Sequence, residues 1–235
     1  MRLLDLSFRS PAENLAMDEA LLEAACAPDA EGVLRLWESP VPFVVLGVTQ
    51  DIEAEVNREQ CRAAGVPVLR RCTAGGCVLQ GPGSLNYSLA LPFDSFPELR
   101  GLHASYAHIL GRIGDALQAL GVQAALRGIS DLAMGELKVS GNAQRRKRLA
   151  LLHHGTLLYR ARYDLMERCL REPGIRPDYR GARTHRDFVG ELPLTPETLK
   201  PLLASAFGAF GAEGEPDPAL LVRNQVLARE KYACL

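Results

Sequence analysis

Several things are missing from this sequence, and each absence removes a class of protein. No apolar run approaches the roughly 20 residues that a helix needs to cross a membrane. The opening stretch, Met1 to Ser10, has neither a long apolar core nor a small-residue cleavage site, so no secretion signal is expected. Charge of one sign is not in excess: 27 Lys and Arg stand against 28 Asp and Glu, a net −1. A chain built chiefly to hold nucleic acid usually has a strong basic excess. Six cysteines are present, Cys26, Cys61, Cys72, Cys77, Cys169 and Cys234, but no C-x-x-C pair and no dense framework. In a chain of this length that pattern predicts reduced thiols and a cytoplasmic location. There is no internal repeat, no low-complexity stretch, no G-x-x-x-x-G-K-[ST] and no G-x-G-x-x-G, which excludes a P-loop and a Rossmann fingerprint.

What is there reads as a globular domain. Apolar residues make up 47% and charged residues 23% of 235, enough for a real core. Ser10-Pro11-Ala12-Glu13 has the form of a capping box with proline at the first helical position. Leu15, Leu21, Leu22 and Ala25 then give an apolar helix face, with Asp18, Glu19 and Glu23 expected toward water. Val33 to Leu36, Val44 to Leu46, Val66 to Leu69 and Leu85 to Leu91 read as strands, and a helix near 54–64 would stop at Gly65. The strongest helix signal runs from Leu102 to Leu120 and ends at Gly121. Strands around 136–140 and 149–159 flank a basic loop and suggest a hairpin, with helices near 163–170 and 196–207 after them. The fold class expected is α+β, a mixed, mainly antiparallel sheet flanked by helices.

Three segments carry chemistry. The first, Arg70-Arg71-Cys72-Thr73-Ala74-Gly75-Gly76-Cys77-Val78-Leu79-Gln80-Gly81-Pro82-Gly83, joins two arginines to a glycine-rich turn. Glycines let backbone approach a ligand, successive N–H groups can nest an anion, and arginine pairs with phosphate or carboxylate. Read alone, the segment is either an anion site or a plain turn between strands. The second, Asp131 followed by Glu136-Leu137-Lys138-Val139-Ser140-Gly141-Asn142-Ala143-Gln144, puts Lys138 in a β-type run, opposite in direction to Leu137 and Val139. It is either an exposed strand lysine or an inward ammonium that needs a partner or a task. The third is His153-His154-Gly155-Thr156-Leu157-Leu158. Adjacent strand histidines face opposite ways and cannot chelate one metal together, so a zinc site is not expected. Arg145-Arg146-Lys147-Arg148, the hairpin tip, is either a solvated loop or a dock for a polyphosphate or an acidic partner.

Taken together and in this order, the three segments resemble the lipoate–protein ligase branch of the biotin/lipoate ligase superfamily. That branch carries R-R-x-[ST]-G-G-G-x-V-x-H, K-[IV]-S-G-[SN]-A and H-H-G-[TS]-L-L. Asn14-Leu15-Ala16-Met17-Asp18-Glu19-Ala20 and Leu34-Arg35-Leu36-Trp37 resemble its opening helix and first strand, so the likeness covers roughly residues 1 to 190. Ala74 replaces the first glycine of the triplet, and Gln80 stands where histidine is common and cannot titrate. The resemblance implies one biotin/lipoate ligase-like catalytic domain over 1–235, without a large C-terminal accessory domain. It implies ATP-dependent activation of lipoate or octanoate to an acyl-AMP and transfer to a lysine of a lipoyl carrier domain. Lys138 is then the catalytic residue. The substrate and nucleotide set is Arg70, Arg71, Thr73, Gly75, Gly76, Cys77, Val78, Gln80, Asn86, Asp131, Ser140, Gly141, His154, Gly155 and Thr156, with phosphate expected on Arg71 and the Gly75–Gly76 backbone. ATP and Mg²⁺ are the implied cofactors, Mg²⁺ held largely through phosphate and water with Asp131 as a weak ligand. Lipoate or lipoyl-AMP is the implied substrate or intermediate. The implied partners are lipoyl carrier domains, such as E2 subunits or the glycine cleavage H protein, together with a separate accessory protein if adenylation needs one; nucleic acid and membrane are not expected.

Other readings stay open. An octanoyl- or lipoyl-transferase without ATP would use a cysteine thioester; residues 120–137 hold no cysteine, but Cys72 and Cys77 lie in the glycine-rich segment. A biotin ligase would need a G-R-G-R-x-[GR] segment, which is missing. A non-catalytic lipoate-binding module and a generic nucleotide-binding domain complete the set.

Overall fold

Polar residues sit in the middle of both large cores of this protein, and the arrangement of its sheets explains why. The structure is a computed structural model that describes residues 1–211 and 216–235. Strand β1 (Arg2–Asp5) leads to helix α1 (Pro11–Ala24), β2 (Val33–Trp37) and β3 (Phe43–Leu46). Two short helices, α2 (Ile52–Glu55) and α3 (Arg58–Ala63), precede β4 (Val68–Arg70), β5 (Val78–Gln80) and β6 (Ser84–Pro92). A 3-10 turn at Pro97–Arg100 opens onto α4 (Leu102–Ala119), followed by β7 (Ala125–Arg127), β8 (Asp131–Met134), β9 (Leu137–Arg146) and β10 (Ala150–Leu158). Helices α5 (Tyr163–Cys169), α6 (His185–Phe188), α7 (Pro196–Ala206) and α8 (Pro218–Glu230) complete the chain.

The large sheet has seven strands in the order β1-β2-β6-β10-β9-β8-β7. Only β1 and β2 pair in parallel, joined through α1; the other pairs are antiparallel. A small sheet, β4-β3-β5, lies apart from it. The expected α+β class with a mixed, mainly antiparallel sheet is what forms. The predicted hairpin forms as β9–β10, but β9 runs on to Arg146, so half of the expected basic tip is strand. Strands β1, β7 and β8, of three or four residues each, gave no alternation to read. The single helix expected near 54–64 is broken: Asp51 and Asn57 each cap a separate turn, and Val56 between them is extended. Gly65, at φ +63, ends the second turn as expected.

One face of the large sheet packs Leu34, Leu36, Leu85, Tyr87, Leu89 and Leu151 against α4 and α7. The other carries Val33, Trp37, Ala90 and Leu152 and is covered by α1, α8 and residues of the small sheet. Helix α1 is therefore enclosed on several sides. Its Asp18 and Glu19, expected in water, are only 1% and 3% exposed. Glu19 meets Lys231 at 2.6 Å and Tyr232 at 2.5 Å, the latter two just beyond α8. The Ser10 side chain makes no cap bond; Asn14 Oδ1 accepts from Phe8 N at 3.0 Å instead. No helix among the described residues is long and apolar enough to cross a membrane.

Candidate active site

The register of the large sheet writes two rows of side chains across one face, because paired residues in neighbouring strands point the same way. One row is Trp37, Asn86, Thr156, Gly141 and Asp131. The next is Arg35, Ser88, His154 and Ala143. Thr156 Oγ1 donates to Asn86 Oδ1 at 2.9 Å, and Gln80 Nε2 on β5 reaches Thr156 Oγ1 at 3.4 Å. Gln80 Oε1 is buried and has no partner among the described residues. A polar surface thus lies between the two sheets.

Lys138 joins this surface through a backbone irregularity. Strict alternation along β9 would send it to the face of Ser140 and Asn142, away from Gly141. Opposite residues 138–140, however, β8 supplies only Ala133 and Leu132, so β9 bulges. A bulge re-aims a side chain. Here it brings Lys138 Nζ over Gly141, to 2.8 Å from Asp131 Oδ1, with the lysine side chain 24% exposed. A Cβ at position 141 would lie 2.9 Å from Nζ, so glycine is what lets the ammonium lie against the strand. Tyr179 donates to the other oxygen, Asp131 Oδ2, at 2.9 Å; burial and then the Asp131 charge push the Tyr179 phenol up, keeping it a donor. An ammonium held by one carboxylate and open on one side is suited to a second anion.

The glycine-rich turn faces the same strand, and a Cβ on Gly75 would touch Ala143 Cβ at 3.7 Å. Gly75, at φ +98, adopts a conformation that only glycine holds easily. Ala74 is exposed and free of a positive φ, which is how the turn accommodates the missing glycine. Arg71 shapes this turn from within. Its Nε donates to Thr73 Oγ1 at 2.8 Å and its Nη2 to the carbonyls of Ala74 at 2.8 Å and Gly76 at 2.9 Å. Burial lowers its pKa to about 10, and it remains a cation. Arg70 Nη1 is spent on the carbonyls of Gly47, Val48 and Gln50. The donors of Arg71, of which a phosphate contact was expected, are engaged here in holding the loop; Gly75 and Gly76 are exposed to meet a ligand, while Cys77 is partly buried.

Other expected positions divide by face. Asn86, Asp131, Gly141, His154 and Thr156 come together with Lys138, Thr73, Val78 and Gln80. Ser140 and Gly155 do not. Ser140 is fully buried opposite Leu132 and Leu157, and a Cβ on Gly155 would run into Asn142 Oδ1 and Tyr87 Oη on the α4 side. His153 is also there, stacked on Tyr87 and edge-on to Tyr106, and burial lowers its pKa to about 3. Asp131, expected as a weak metal ligand, has one partner on each oxygen, Lys138 and Tyr179, and no group of three His, Cys, Asp or Glu side chains among the described residues has metal-site geometry. The basic tip is partly consumed: Arg146 binds the carbonyls of Leu99 and Arg100 and Arg145 that of Cys72. Burial raises the thiols of Cys72 and Cys77 to about 11 and about 12, so neither is a ready thiolate.

Sequence reasoning missed Asp18, Arg35 and Tyr179. His154 Nδ1 lies 2.9 Å from Asp18 Oδ2, and Arg35 Nη1 2.8 Å from Asp18 Oδ1. A signal existed: Asp18 is three residues after Leu15 and four before Leu22, inside the apolar stripe rather than across from it. Tyr179, in a 3-10 turn far along the chain, offered none.

The catalytic-domain model described as lipoyl protein ligase A/B matches residues 10–207. The chain belongs to the lipoyl protein ligase A/B catalytic domain family. Lipoate–protein ligase 1 of Staphylococcus aureus is 30% identical over 210 residues, covering 86% of this chain and 62% of that protein. Octanoyltransferase LipM of Carboxydothermus hydrogenoformans is 33% identical over 188 residues, covering 72% and 69%. The family around this chain thus includes proteins named as ligases and as transferases. Four of the curated relatives are spanned by this chain over only 48% to 62% of their length. A bi-partite lipoate protein ligase of an archaeal lipoylation system, from Thermoplasma acidophilum, shares the fold at a TM-score of 0.80 and 23% identity, over 97% of this chain and 90% of that one.

Proposed function

We propose that this chain is an ATP-dependent lipoate–protein ligase, activating the carboxylate of lipoate or octanoate and passing the acyl group to a lysine of a lipoyl carrier domain. The observation that carries this reading is the Lys138 ammonium, held by Asp131 above Gly141 on the same strand whose Ala143 lies against Gly75 of the glycine-rich loop. Forming an acyl-adenylate brings a carboxylate oxygen against the α-phosphorus while pyrophosphate leaves. Like charges meet, and a fixed cation between them stabilises the charge that builds there. The exposed Gly75–Gly76 backbone offers N–H groups to phosphate without side-chain obstruction. Asn86, Thr156 and Gln80 give the acyl group a polar wall. In the second step the carrier amine attacks the carbonyl carbon, AMP leaves, and Lys138 again faces the departing charge. Mg²⁺ would be carried here mainly by phosphate and water, since no protein metal cluster forms among the described residues, and would neutralise the polyphosphate.

A second reading has one observation behind it, the likeness to an octanoyltransferase. The raised thiols of Cys72 and Cys77 count against a cysteine intermediate here. Mass analysis of a lipoyl carrier domain incubated with the full chain and lipoate, with and without ATP, separates the two. A mass gain only with ATP, lost by about 100- to 1,000-fold in rate in Lys138→Ala, is the expected result. Transfer from an octanoylated carrier without ATP, or a fully active Lys138→Ala variant, would sink the ligase assignment.

A further inference from the structure

A buried chain of hydrogen bonds connects α1 to the glycine-rich loop, and its direction can be worked out link by link. A carboxylate only accepts, so Asp18 Oδ2 takes the proton on His154 Nδ1 at 2.9 Å. In the neutral ring Nε2 then carries no proton and must accept, and its neighbour is Thr73 Oγ1 at 2.8 Å. The threonine hydroxyl therefore gives its proton to His154. Its oxygen is left to accept, and Arg71 Nε donates to it at 2.8 Å. Arg71 in turn folds the loop around itself through the carbonyls of Ala74 and Gly76. With the His154 ring neutral, every member has one permitted role, and the orientation of the whole chain is set at Asp18. Burial by itself would raise the Asp18 pKa, but the hydrogen bond with His154 and the charge of Arg35 outweigh it and hold the group below the ordinary carboxylate value.

Burying Asp18 with Arg35 is a poor way to gain stability, because an apolar pair of the same volume would do as well or better. The next residue of α1 does something parallel. Glu19 pairs with Arg145 at 3.5 Å, and Arg145 Nη1 donates to the carbonyl of Cys72 at 3.0 Å. Two adjacent carboxylates on one helix thus reach two adjacent residues at the start of the same loop.

We propose that Asp18 is a positioning residue for the glycine-rich loop, acting through His154 on Thr73 to hold residues 72–77 in the shape that receives the acyl-adenylate. The identity of that ligand rests on the reading above; the relay itself does not. Thr73 also reports its own position, because the Val48 amide donates to the Thr73 carbonyl at 2.9 Å, whereas the Val44 amide nearby donates to Pro67.

The test uses the full chain as wild type and as Asp18→Asn, His154→Gln, Thr73→Val and Thr73→Ser. Two quantities are measured: hydrogen exchange at the amides of Val48 and Val44, and affinity for a non-hydrolysable sulfamoyl analogue of lipoyl-adenylate. The relay requires faster exchange at Val48 by about tenfold with Val44 unchanged. It also requires affinity weakened by about 10- to 100-fold in Asp18→Asn, His154→Gln and Thr73→Val. Thr73→Ser keeps the hydroxyl and should match wild type on both counts. On Val48 exchange and on affinity, adding Asp18→Asn to Thr73→Val should have no further effect, since both break one chain. Wild-type exchange and affinity in His154→Gln and Thr73→Val overturn the proposal even if Asp18→Asn does not fold. A wild-type chain that fails to bind the analogue, while Val48 responds to the substitutions, upholds the relay and overturns the ligand.

Discussion

Lys138 and Gly155 show how much one backbone position decides. Lys138 owes its place to a bulge and to the missing side chain of Gly141. Gly155 looks like a ligand-binding glycine in the motif, yet its space is taken by Asn142 Oδ1, where a Cβ would lie at 1.7 Å, and by Tyr87 Oη at 2.9 Å. The Asn142 amide also donates to Ser130 O at 2.8 Å and Ser140 Oγ at 3.1 Å, so it cannot step aside without losing these bonds. Gly155→Ala should therefore act on stability, costing about 3 kcal/mol by overpacking. Urea unfolding reads this directly, and a variant as stable as wild type would show that Asn142 is free to move.

At the scale of elements, α1 is the surprise. Its spacing marks it as a helix and its apolar residues face inward as that spacing implies, but Asp18 and Glu19, which the same spacing places toward water, are buried as well. What surrounds the helix is not encoded in its own spacing. Once the sheet, α8 and the small sheet enclose it, Asp18 and Glu19 must be paired. This gives a pH prediction. The folded Asp18 carboxyl lies below its ordinary value of 3.8, so in acid the unfolded chain takes up the proton first. Its contribution to stability is complete above about pH 4 and declines as pH falls further through the folded pKa. Asp18→Asn should cost about 3–5 kcal/mol at pH 7, because Arg35 loses its counter-charge. It should also flatten the acid limb of a stability–pH curve, and an unaltered limb would count against the pairing.

For the molecule as a whole, the far end of the chain supports the site from behind. Leu220, Leu227 and Tyr232 are buried in the same core as Cys72, and the Leu235 amide donates to Val68 O at 2.8 Å. Removing residues 218–235 should lower the melting temperature and open Cys72 to a thiol reagent, as read by mass mapping. An unchanged melting temperature and a protected Cys72 would show that α8 is a passenger. The same reasoning explains what was hard to foresee. The β6 strand is buried on both faces, so its alternation marked two cores rather than a core and a wet side, and Asn86 and Ser88 became interior residues.

By itself the sequence determined the fold class, helices α1, α4, α5 and α7 but not α8, the hairpin and the three segments that bear on chemistry, because periodicity, capping glycines and motif order are local properties of the chain. Tertiary structure alone decided which residue of each segment faces the ligand. Sheet register aligned Asn86, Thr156, Gly141 and Asp131 from four strands, a bulge turned Lys138 toward them, and enclosure of α1 gave Asp18 its partners. Those choices depend on pairing between residues up to more than a hundred positions apart, and no local pattern encodes them.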